Sequence, residues 1–116
     1  MRAEVVLLSR NITIRANNAN DPWGCRIIVA DFLDTTSGFD LREGNMTLDY
    51  VEVKWCSQKD TYNAAINFDG TVGAPKVITN SAFHSGEGIG VYMKSSEDIN
   101  LESNVFVNFT KYGIWA

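Results

Sequence analysis

The sequence predicts an all-β fold and, within that class, a right-handed parallel β-helix of about four to five rungs. Three observations lead there. No window of the 116 residues keeps a helical period. Apolar residues come in short runs rich in Val, Ile and Phe, broken by Asn, Asp, Ser and Gly, which are strand and turn signals. A spaced apolar pair also recurs, at Ile27/Phe32, Leu48/Val53, Ile78/Phe83 and Leu101/Phe106, in copies 21, 30 and 23 residues apart. Repeats of roughly 20–30 residues with three short strands each mark a solenoid, because one copy cannot bury its inward face alone. A β-sandwich with accidental spacing is the alternative.

The expected strands, in order, are Glu4–Leu8, Asn11–Ala16, Arg26–Leu33, Thr47–Cys56, Ala64–Phe68, Lys76–Thr79, Ser81–His84, Gly88–Lys94, Ile99–Glu102, Asn104–Asn108 and Tyr112–Trp115. The first two form an early, irregular turn of the pattern around Val5–Arg15. The next two carry the first apolar pairs, and each later pair straddles a polar bend. The remaining strands supply the third side of each rung, through Ile66, Ile89 and Ile114. Stacked about 4.8 Å apart, the rungs would align three columns: Ile27, Leu48, Ile78 and Leu101; Phe32, Val53, Phe83 and Phe106; and Ile66, Ile89 and Ile114. Asn80, with Ser103 in the matching place, stands at the bend between first and second strands, where short polar side chains tolerate unusual dihedrals.

Ten basic and fourteen acidic residues give a net charge of −4. That argues against nucleic acid or an anionic membrane surface, which call for a clustered basic face. The apolar runs Val5–Leu8 and Ile27–Ala30 are too short to enter a bilayer, and the N-terminal stretch is not a secretory signal. Two cysteines, Cys25 and Cys56, form no CxxC pair, and with the lone His84 they cannot complete a zinc set. They are either one disulfide or two separate buried thiols. Asn11, Asn45 and Asn108 each open an Asn-X-Thr sequon. Three sequons in so short a chain point to an extracellular or cell-surface location, and to an internal slice, residues 1–116, of a longer protein.

The opening Glu4-Val5-Val6-Leu7-Leu8-Ser9-Arg10-Asn11-Ile12 resembles a stretch that opens the parallel β-helix in the family of fibrocystin, fibrocystin-like protein and the cell-surface and secreted hyaluronidases. Ile78-Thr79-Asn80-Ser81-Ala82-Phe83-His84-Ser85-Gly86, with Gly88-Ile89-Gly90-Val91 and Asn104-Val105-Phe106, is similar to the fibrocystin branch. The hyaluronidase branch carries a paired-histidine stretch where this chain reads Thr61-Tyr62-Asn63-Ala64-Ala65-Ile66-Asn67-Phe68-Asp69. Both histidines are missing. The resemblance therefore implies a large glycosylated surface protein and no glycosidase activity.

The favoured function is a non-enzymatic scaffold, adhesion or assembly module that needs no cofactor. Its partners would be other chains, or the rest of the same polypeptide, stacked on open solenoid ends, with glycans as a further class. The rival is a polysaccharide-active enzyme or a carbohydrate-binding module. For an enzyme, the repeat alignment sets Asp31 and Glu52 at one place on adjacent rungs, roughly 5 Å apart, which suits a retaining glycosidase. Asp49 and Glu102 share a place two rungs apart, with Thr79 between. Outward carboxylates on strands are mostly solvated, and His84 is expected to face outward beside Lys54. Asn17–Asp21 is oxygen-rich but lacks the alternation of a calcium loop, so no metal site is expected. Trp55 shares the parity of Val51 and Val53 and reads as core. Trp23, in a loop, is the candidate for glycan contact.

Overall fold

A computed structural model describes residues 12–21, 23–36 and 38–116. The expected strand Glu4–Leu8 and the sequon at Asn11 lie outside the described residues. Thirteen strands appear among those described: β1 (Ile12–Arg15), β2 (Ile27–Ala30), β3 (Phe32–Asp34), β4 (Asp40–Arg42), β5 (Met46–Asp49), β6 (Val51–Lys54), β7 (Ile66–Asp69), β8 (Lys76–Thr79), β9 (Ala82–Gly86), β10 (Ile89–Lys94), β11 (Ile99–Glu102), β12 (Val105–Phe109) and β13 (Tyr112–Trp115). All are short, from 3 residues in β3 to 6 in β10.

Eleven of them form three parallel sheets. The first is ordered β1-β6-β9-β12, the second β13-β10-β7-β2 and the third β11-β8-β5. From β5 onward the chain visits third, first and second sheet in turn, three times over. Each strand thus pairs with the strand three elements later. The inward positions fall in register: Leu48, Ile78 and Leu101 align across the third sheet, and Val53, Phe83 and Phe106 across the first. These are two of the expected columns for the last three copies.

Period-two alternation sends these residues to one shared core. Val53, Ile66, Phe68, Ile78, Phe83, Ile89 and Val91 are fully buried, while Glu52, Lys54, Val77 and Thr79 keep partial access to water. Each such apolar side chain contributes about 1.5–3 kcal/mol on burial. The bends repeat as well. Tyr50, Asn80 and Ser103 follow aligned strand ends and all have φ near +50°. Trp55, just after β6, and Ser85 and Asn108, within β9 and β12, stand one place past the aligned Lys54, His84 and Val107 and all have φ of 58°. A left-handed residue at each bend turns the chain within one position without breaking the ladder on either side. Asn80 and Ser103 thus stand where the sequence put them. The buried bonds of this bend fall one residue later: the Val51 amide donates to Ser81 Oγ, and the Ser81 amide to Asn104 Oδ1.

The expected alignment of the first copy is corrected. Arg26–Leu33 is not one strand, since Asp31 breaks it. Ile27 lies opposite Ile66 in the second sheet rather than with Leu48, and Phe32 lies outside the core column, 62% exposed. Ile14 takes the place beside Val53. Phe32 belongs to an antiparallel hairpin, β3 with β4, which projects Leu33, Phe39 and Leu41 outward. In the third column Ile66, Val91 and Ile114 align, with Ile89 two residues off, opposite Tyr112.

Candidate functional site

The outer face of the second sheet carries the densest group of aromatic side chains. Its ladder runs Ile28, Asn67, Tyr92, Trp115 across four strands. Alternation makes these face away from Ile66, Phe68 and Val91. Asn67 Nδ2 donates to the Tyr62 carbonyl (3.0 Å), which ties the loop before β7 over the sheet. Arg26 Nε donates to Asn67 Oδ1 (3.2 Å), fixing the amide in turn. Around Trp115 the rings of Tyr62, Tyr92 and Tyr112 stand edge-on, with centroids at 5.4, 6.2 and 4.5 Å. Such edge-to-face pairs are favoured by the opposite polarity of ring edge and ring face. Lys111 Nζ lies 5.4 Å from the Tyr62 centroid. Tyr62, Thr110, Lys111, Tyr112 and Trp115 line a cleft of about 350 Å³. Aromatic walls and an ammonium beside them suit a ligand with both apolar and polar faces.

A second constellation lies on the outer face of the first sheet, where Arg15, Lys54 and His84 align. His84 and Lys54 share a place on adjacent strands, as expected. His84 Nε2 is 2.9 Å from Glu52 Oε1 and Nδ1 is 2.9 Å from Ser85 Oγ. Lys54 Nζ is 3.6 Å from the same glutamate oxygen. Glu52 is therefore clamped across the β6–β9 pair. Trp55, expected in the core, is only half-buried, with Lys54 at 4.7 Å and Arg15 at 5.4 Å from its ring. The left-handed bend at Trp55 ends the strand, so the parity of Val51 and Val53 does not extend to it.

The pairing of Asp31 with Glu52 is corrected. Asp31 follows β2, which belongs to the second sheet, whereas Glu52 sits in the first, opposite Thr13 and Ala82. They share no ladder. Asp31 instead accepts the amides of Val72 (3.0 Å) and Gly44 (2.7 Å), and those bonds hold its carboxyl below the usual carboxylate range. The Thr71 hydroxyl and the positive charge of Lys76 push the same way. Lys76 had no expected role. Its side chain is fully buried between the inward positions of Met46 and Ile99, and Nζ has no hydrogen-bond partner among the described residues. Asp49, Thr79 and Glu102 do align as expected, and Asp49 Oδ1 accepts from both Thr79 and Asn80.

Cys25 and Cys56 are joined as a disulfide, which resolves the two readings of the cysteines. Asn45 and Asn108 are exposed. Trp23 is 73% exposed, in a loop where Asn18 and Asp21 spend side-chain oxygens on nearby backbone amides. It belongs to neither constellation. The aromatic cleft escaped the sequence reading because Tyr62, Tyr92, Tyr112 and Trp115 come from three separate segments. The signal available was the outward parity of Tyr92 and Trp115. No protein-family model, curated protein or solved structure matches the chain.

Proposed function

We propose that these residues form a stretch of right-handed parallel β-helix in a large extracellular glycoprotein of the fibrocystin-like kind, acting without catalysis as a scaffold that stacks on further protein. The observation that carries this reading is the threefold return of the chain through the same three parallel sheets, with left-handed bends in register. Among the described residues, strands β11, β12 and β13 each have a hydrogen-bonded neighbour on one side only, and Leu101, Phe106 and Ile114 lie half-buried or exposed along them. Unpaired edges of this kind are templates for another strand. The disulfide fits an oxidising compartment, and the exposed Asn45 and Asn108 fit glycosylation. Of the carboxylates weighed for a glycosidase, the Asp31 and Glu52 pair is engaged elsewhere, Asp31 with backbone amides and Glu52 with His84 and Lys54.

Two measurements test the proposal. Analytical ultracentrifugation over a wide concentration range should show self-association that weakens in Val107→Lys, which places a charge on an exposed position of β12. A monomer at every concentration, with a cooperative melt, overturns the stacking role. Incubation with hyaluronan and with pectate should leave chain length unchanged. Shortening that is lost in Glu52→Ala overturns the non-enzymatic reading.

A further inference from the structure

We propose that the cleft lined by Tyr62, Thr110, Lys111, Tyr112 and Trp115 is a saccharide subsite, holding one pyranose ring of a glycan against the aromatic side chains. Such binding is independent of the stacking role above. The lining residues exclude two classes of ligand. A cation is disfavoured, because the Lys111 ammonium already lies near the face of Tyr62. A purely apolar ligand would bury that ammonium and the tyrosine hydroxyls without hydrogen-bond partners, at a cost. What remains is a compact ligand with an apolar face and a rim of hydroxyl or anionic oxygens. A pyranose ring has that shape: its axial C–H bonds present weakly positive hydrogens to the negative face of an aromatic ring, while its equatorial oxygens point sideways to donors.

The cleft is also of ligand size and preorganised. Its volume of about 350 Å³ falls at the lower end of the range for small-molecule sites. Tyr112 and Trp115 project from β13, which is paired along its length with β10. Tyr62 is held through its carbonyl by Asn67, itself braced by Arg26. Backbone anchored in this way, with the rings packed edge-on around Trp115, leaves less to be ordered when a ligand arrives. Tyr62 and Tyr112 are about half exposed, at 57% and 50%, so a ring can reach them.

The test is calorimetric titration of the intact 116-residue chain with two hexasaccharides, one of neutral glucose units and one of galacturonate units. Saturable binding of at least one is expected, weakened at least tenfold by Tyr112→Ala and unchanged by Trp23→Ala. Lys111→Gln should weaken the galacturonate ligand more than the neutral one if the ammonium meets a carboxylate, and both alike if it meets hydroxyls. Circular dichroism checks that each variant is folded, and Tyr112→Phe, which keeps the ring, should retain most of the binding. Absence of binding to both hexasaccharides, or binding that survives Tyr112→Ala in the folded protein, or binding lost in Trp23→Ala instead, overturns the proposal. None of these outcomes depends on self-association.

Discussion

Phe83 and Phe106 lie face to face, with ring centroids 4.8 Å apart and planes tilted by only 9°. They occupy one register position on β9 and β12, so the parallel ladder itself brings the rings into a stack. The stack is bounded on its far side by two glycines, since Cβ atoms at Gly90 and Gly113 would meet the Phe106 side chain at 3.2 and 2.9 Å.

Removing the inner ring should be costly. Phe83 is fully buried, and Phe83→Ala is expected to lose about 3–5 kcal/mol of stability through lost burial and the cavity left behind. Urea denaturation followed by far-ultraviolet circular dichroism measures this. A near-neutral result would mean that the core column is not in this register.

Filling the space behind the stack should also destabilise. Gly90→Ala drives a methyl group toward the Gly113 carbonyl and the Phe106 ring. Overpacking of this kind costs about 1–3 kcal/mol. The double variant Gly90→Ala with Phe106→Leu should recover little of the loss in the same denaturation assay, because the Gly113 backbone carbonyl is nearer to the added methyl group than the ring is.

Asp31 should make stability sensitive to acid. Its carboxyl titrates below the ordinary value of 3.8 in the folded chain, so the unfolded chain holds the proton more tightly. The contribution is fully present above about pH 4 and is lost as pH falls through the lower, folded value. Asp31→Asn should lower the melting temperature at neutral pH and flatten its decline on the acid side. An unchanged acid limb would show that the bonds to Val72 and Gly44 are not formed in solution.

The disulfide joins Cys25 and Cys56 across a sequence separation of 31. Restricting the unfolded chain over such a loop is worth about 3–4 kcal/mol in the loop-entropy model. The double variant Cys25→Ser, Cys56→Ser should therefore melt well below the parent in the absence of reductant, and the difference should vanish when the parent is reduced.

Asn45 and Asn108 should both carry glycans when the chain is made in a secretory host. Mass spectrometry before and after enzymatic deglycosylation should show a loss from each site. Thr110 hydrogen-bonds the Glu87 carbonyl, so Thr110→Ala removes both the sequon and that bond, whereas Asn108→Gln removes the sequon and puts a less tolerant side chain at the left-handed bend. An absence of glycan at both sites would remove the sequon argument for an extracellular location.

The all-β class and two core columns were legible in the sequence, because in-sheet alternation has period two and each column repeats a large apolar residue at one bend-relative position. Leu48, Ile78 and Leu101, and Val53, Phe83 and Phe106, needed nothing beyond that. The bends at Asn80 and Ser103 were legible for the same reason: a polar residue recurs where the chain must take a left-handed turn. Tertiary structure decided what the connecting loops control. Asp31 and the β3–β4 hairpin shift the first copy out of phase, so Ile27 meets Ile66, and Asp31 reaches Val72 rather than Glu52. Loop closure also chose between two thiols and a disulfide, and it carried Tyr62 over Tyr92 and Trp115. Such contacts join segments with no common period. Their geometry is set by loop length and by which faces the core leaves outward, and neither leaves a periodic trace in the chain.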